Sequence, residues 1–83
     1  MSSSATKLEP VAVHMDIDDT FLRLRLADGR ELAVPLAWFS KLSTATEEQR
    51  NNWRWIGGGI GVHWPDLDED LSVRGMLMGN AAA

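Results

Sequence analysis

Apolar and polar positions alternate with a period of two through the first half of the chain. Val11, Val13, Met15 and Ile17 are separated by Ala12, His14 and Asp16, the pattern of a strand with one face on a core. Asp18-Asp19 interrupts that run as a turn. Leu22, Leu24 and Leu26 then alternate with Arg23 and Arg25, giving a second strand with a leucine face and an arginine face. Asp28-Gly29 supplies the positive φ angles of a tight hairpin. Leu32, Val34 and Leu36 continue as a third strand with its apolar side on the same face. Pro35 removes one ladder donor, so this strand is an edge or stops there. These elements predict a three-stranded antiparallel meander.

The second half changes rhythm. Trp38, Phe39 and Leu42 fall in a segment that predicts a turn or a single helical turn capping the sheet. Thr46-Glu47-Glu48-Gln49 has the capping-box pattern, in which the threonine hydroxyl and the glutamine side chain each satisfy the other residue's backbone N–H. That helix is predicted to be short, because Asn51-Asn52 are poor helix formers and Trp53-Arg54-Trp55-Ile56 has strand character. Gly57-Gly58-Gly59 forms a turn, Ile60, Val62 and Trp64 alternate as a further strand, and Pro65 ends it. Asp66 to Asp70 read as an acidic connection. Ser72 caps a brief final helix, which Gly79 stops in a left-handed conformation. The expectation is an α+β domain over residues 10–79, a small, mostly antiparallel sheet of about five short strands with two short helices. Segment 1–9 is expected to be flexible and 80–83 to be a frayed tail.

The length of 83 residues allows one domain, and 45% hydrophobic with 24% charged residues is an ordinary soluble composition. No apolar run reaches the roughly 20 residues of a membrane span, and the serine-rich start lacks the apolar centre of a secretory signal. The absence of cysteine rules out disulfides and thiolate metal sites and favours a cytoplasmic location. A net charge of −4 argues against direct nucleic-acid binding through a phosphate-neutralising face. The one exception to consider is a local basic stripe built from Arg23 and Arg25.

Four segments together carry a family resemblance: the Asp28-Gly29-Arg30 hairpin, Val34 to Phe39, Ala45 to Trp53, and His63 to Gly79. In them the chain resembles the bacterial domain-of-unknown-function family 2442. The resemblance covers most of the chain and omits the serine-rich start and the alanine tail. It implies a small α+β domain, sometimes fused to a helix-turn-helix module that this sequence lacks. It also implies a second small protein encoded beside it, in loci resembling toxin–antitoxin pairs. It implies no catalytic residues.

The residues themselves offer little chemistry. His63 with Asp66 and Asp68 is a conceivable metal site. Asp66, Asp68 and Asp70 match the first three ligand positions of a calcium loop, but Leu71 stands where that loop needs glycine and Leu77 where it needs glutamate. Two histidines on separate strands are too few nitrogen ligands for zinc. The expected role of Asp66 to Asp70 is to cap and charge the last helix. A serine triad would need His14 or His63 as base, whereas Ser40, Ser43 and Ser72 all have turn or cap roles. The glycine run lacks the lysine of a phosphate loop. No catalytic, cofactor-binding or metal-binding residue is therefore assigned, and the chain is read as not an enzyme.

Four tryptophans are more than so short a chain can bury completely; the plain reading is core and rim packing, and the functional one is that one or two stay exposed as anchors for a partner. Trp38 and Trp55, with Arg54 and His63, are candidate partner-binding residues, since Trp and Arg are enriched at binding hot spots. Asp66, Asp68, Glu69 and Asp70 join them as an acidic rim. The leading expectation is a non-enzymatic protein–protein interaction module, the antitoxin-like member of a toxin–antitoxin-like pair, which binds a small protein from a neighbouring gene. A homodimer through the Val11 to Ile17 edge is a further expectation. The alternative is an acidic, phage-type inhibitor that mimics nucleic acid, using Asp16, Asp18 and Asp19 together with the 66–70 acids. Leu22, Leu24, Val34 and Val62 are predicted to centre the core. Leu24→Ala should then cost ~2–5 kcal/mol, and an unchanged melting temperature would show that the strand's inward face is assigned backwards.

Overall fold

The protein is described by a computed structural model covering residues 10–79, so the expectations for segments 1–9 and 80–83 lie outside the described residues. Strand β1 (Ala12–Ile17) pairs antiparallel with β2 (Phe21–Leu26), and β2 with β3 (Glu31–Pro35), forming sheet A as the predicted meander. The chain then makes a 3-10 turn (Leu36–Trp38) and two short helices, α1 (Ser40–Ser43) and α2 (Glu47–Asn51). Strands β4 (Arg54–Ile56), β5 (Gly61–Trp64) and β6 (Glu69–Ser72) form a second antiparallel meander, sheet B, and α3 (Val73–Leu77) follows. The class is α+β, built from two small sheets rather than one.

The local signals are realised where they were read. Thr46 Oγ1 accepts from the Gln49 N–H at 3.1 Å while Gln49 Oε1 accepts from the Thr46 N–H at 3.0 Å, a complete capping box. Ser72 Oγ accepts from the Gly75 N–H at 2.9 Å, and Gly79 has φ +79°. Leu22, Leu24, Val34 and Val62 are all buried, in a core shared with Phe39, Leu42 and Trp64. The outward arginines of β2 fall opposite Asp16 and Glu31 on its neighbours.

Three expectations are corrected. Glu69 and Asp70 belong to a sixth strand: they pair with Trp64 and His63, and the acidic side chains obscured that strand because they lie at its start and rim. The first turn of α3 holds no acid, so Asp66 to Asp70 do not charge that helix. The inward face of β1 also differs from the even alternation predicted. A bulge between Ala12 and His14 adds one residue, so Ala12 turns into the core and Val13 turns out, 56% exposed. One extra residue reverses every side chain on its far side.

That bulge sits where the sheets meet. The Ala12 N–H donates to the Gly59 carbonyl at 2.8 Å, joining sheet A to the β4–β5 turn at a corner rather than through a ladder. Gly59 has φ +123°, and a Cβ there would lie 2.4 Å from the Ala12 oxygen. Both the backbone conformation and the close approach require glycine. Gly59→Ala is expected to destabilise the fold by at least ~2 kcal/mol, whereas Val13→Thr should change stability by no more than about 0.5 kcal/mol. Chemical denaturation measures both, and a reversed order would show that the corner is not formed this way.

Candidate functional site

Alternation along sheet B decides which of the candidate residues share a surface. Trp55, Val62 and Leu71 face the core in one cross-strand row. The strand period therefore turns Arg54, His63 and Asp70 outward in the next row, with Arg54 opposite His63 and His63 opposite Asp70. His63 Nδ1 and the Asp70 carboxylate are hydrogen-bonded. Ile56 continues the outward row of β4 at 36% exposure, packed beside Gly61, where an added Cβ would lie 3.6 Å from its side chain. Ile60, in the adjoining turn, is likewise exposed and lies across Gly57.

Asp66, Asp68 and Glu69 occupy the other end of sheet B, beyond Trp64. Asp66 accepts from Asn52 Nδ2 at 3.0 Å, and Lys41 reaches the Asp68 carbonyl at 3.2 Å and the Glu69 carboxylate at 3.8 Å. His63 turns to Asp70 and not to Asp66 or Asp68. Among the described residues no three His, Asp or Glu side chains converge to hold a metal ion.

The remaining candidates lie elsewhere. Trp55 is on the inner face, half-buried, and meets Trp53 edge-to-face with ring centroids 4.8 Å apart. Trp38 stands on the 3-10 turn after β3, 43% exposed. Trp64 is wholly buried. Sequence reasoning missed Ile56 and Ile60, although a signal for Ile56 was present: a strand that turns Trp53 and Trp55 inward must turn Ile56 outward.

The basic stripe on sheet A is neutralised. Arg23 bonds Asp18 at 2.7 Å and lies 3.5 Å from Asp16, while Arg25 lies 3.4 Å from Glu31. Every arginine of that face therefore has an acidic neighbour, which removes the free positive charge that phosphate binding needs.

With this geometry in view, the comparisons with known proteins are consistent with one another. The model of a protein family of unknown function, DUF2442, matches residues 10–82. This chain belongs to the DUF2442 family. A crystal structure of a protein of unknown function from Rhodospirillum rubrum is similar at 29% identity and a TM-score of 0.79, over 92% of this chain and 94% of that one. The solution structure of an uncharacterized protein from Chromobacterium violaceum is similar at 25% identity and a TM-score of 0.73, over 88% of this chain and 69% of that one. No curated protein matches the chain. Among the described residues of this DUF2442 chain, no helix is long and apolar enough to cross a membrane.

Among the described residues of this DUF2442 chain, Asp18 and Asp28 are lowered and Arg23 is raised from their ordinary values, and Asp18 is displaced far enough to matter for stability. The Asp18 carboxyl is lowered from 3.8 to about 2, first by the Phe21 N–H, then by the Arg23 guanidinium and the Thr20 N–H. Both N–H groups donate to Oδ1 at 2.7 Å, so the charged carboxylate closes the β1–β2 turn. A depressed folded-state value favours folding above the unfolded value and loses that contribution as pH falls through the folded one. The expected loss therefore runs from about pH 4 down to about pH 2, and Asp18→Asn should flatten the stability profile there. A carboxyl titration followed by NMR should show Asp18 with a midpoint near 2, and a midpoint near 3.8 would mean the turn is not capped in solution.

Proposed function

We propose that this chain is a non-enzymatic protein–protein interaction module, the neutralising, antitoxin-like member of a toxin–antitoxin-like pair. The outer face of sheet B supports this reading. It sets exposed Ile56 beside the charged row Arg54, His63 and Asp70, with Ile60 at its margin. An apolar centre flanked by arginine and a charged rim is the anatomy of a protein-binding surface. The partner is a small protein encoded beside it, and the module works in the cytoplasm, where a cysteine-free chain needs no oxidative folding.

The nucleic-acid-mimic reading is the weaker of the two. Both acidic turns border the helical segment, since Arg50 of α2 bonds Asp19 and Asn52, just beyond α2, bonds Asp66. The carboxylates of Asp16, Asp18, Asp19, Glu69 and Asp70 are nevertheless each matched to a basic residue or histidine. A mimic needs such charge left free.

Co-expression with the neighbouring gene product tests the proposal. The two proteins should co-purify, and Arg54→Glu or Ile56→Asp should weaken the complex by roughly tenfold or more while leaving the melting temperature nearly unchanged. Failure of the wild-type chain to form any complex would refute the reading. A complex insensitive to both substitutions would refute this face as its site.

A further inference from the structure

The two outer strands of sheet A are differently engaged. β1 gives its Ala12 N–H to Gly59, so the edge expected from sequence to pair with another chain is tied to sheet B at that point. β3 has β2 on one side and, among the described residues, no strand on the other. The bonds from the Leu26 N–H to the Arg30 carbonyl and from the Leu36 N–H to the Thr20 carbonyl set the alternation of the β2–β3 ladder. Leu32 and Val34 therefore bond inward to Leu24 and Leu22, and Glu31 and Ala33 turn their backbone groups away from the sheet. Both residues are exposed. Unpaired edge groups of this kind recruit a strand unless they are blocked, and Pro35 blocks only the end of this one.

We propose that β3 pairs antiparallel with β3 of a second copy, about a twofold axis at Leu32, joining the two A sheets into one. The register follows from charge and from the proline. A pairing centred on Glu31 places two carboxylates directly opposite each other. One centred on Ala33 sets the Glu31 carbonyl against Pro35, which has no N–H. Centring on Leu32 sets Glu31 opposite Ala33 of the second copy, and both backbone groups of both residues are then satisfied. Each Glu31 carboxylate lies between its own Arg25, 3.4 Å away, and the small Ala33 of the second copy, behind which that copy's Arg23 stands in the next strand. Leu32 is half-buried at the sheet edge, and its twofold mate covers the rest. This surface is distinct from the outer face of sheet B, so pairing of two copies leaves that face open.

Sedimentation of the full chain at about 100 µM should show a dimer. The chain has no cysteine, so Leu32→Cys provides a site-specific reporter. Residues facing each other without mutual backbone bonds have Cα atoms about 4.5 Å apart, within the range of about 4.4–6.8 Å a disulfide accepts. Under mild oxidation Leu32→Cys should cross-link at least roughly tenfold faster than the exposed Val13→Cys control. Ala33→Pro removes an N–H that the folded chain itself does not use, and should sediment as a monomer. Should Ala33→Pro fail to fold, Glu31→Arg, a surface exchange that loses the charge match, should likewise shift the chain toward monomer. A monomeric wild type, cross-linking no faster than the control, or a dimer unchanged in Glu31→Arg and in folded Ala33→Pro would each overturn the proposal.

Discussion

Much of this fold depends on one buried polar contact, the bond from the Trp64 indole to the backbone of Arg50. Trp64 is wholly buried, so its single N–H must find an acceptor inside the protein. It donates to the Arg50 carbonyl at 2.9 Å, which fixes the end of α2 over the end of β5. The Arg50 side chain extends the constraint. Its Nε and Nη2 donate to the carbonyls of Leu42 and Ser43, at 2.9 and 3.1 Å, at the C-terminal end of α1. Its Nη1 reaches Asp19 in the β1–β2 turn at 3.0 Å. The planar guanidinium serves three acceptors at once, which a lysine could not do in the same geometry. One residue thus ties together α1, α2, the first turn of sheet A and the last strand position before Pro65 in sheet B.

This clamp explains how helices of four and five residues persist. Neither is long enough to be stable by backbone hydrogen bonding alone. They hold because Leu42 is buried beneath them, because a capping box starts α2, and because Arg50 closes the end of α1. Among the described residues no buried side-chain polar atom lacks a partner, as expected when the few polar groups that enter the core are each assigned a role.

At the other end, the two sheets meet through glycine rather than through side chains. The close approach of Gly59 to Ala12 lets the corner close and leaves Val13, Ile56 and Ile60 in solvent nearby. The protein therefore has a polar end, where the acidic turns and the helices are cross-linked by charge, and an end where apolar side chains face outward. Recognition surfaces arise naturally from such a division. The helical end is consumed by its own ion pairs, whereas the outer face of sheet B keeps exposed apolar side chains and the β3 edge keeps unpaired backbone groups.

The first meander was legible in the sequence because an alternating pattern, an Asp-Gly hairpin and a proline each act locally. The caps at Thr46 and Ser72 were legible for the same reason, since their partners lie three residues away. The core positions Leu22, Leu24, Val34 and Val62 followed from period alone. The candidate surface was only partly readable: alternation groups Arg54 with Ile56, but nothing local joins His63 to Asp70, which meet only because β6 pairs with β5. For the same reason the acidic run concealed a strand, and the even pattern of β1 concealed a bulge. What this sequence determined by itself were the elements whose stabilising contacts lie within a few residues. What only the tertiary structure decided were the division into two sheets, the Arg50–Trp64 clamp and the engaged edge at Ala12, because each depends on backbone groups brought together from distant parts of the chain, which no local pattern encodes.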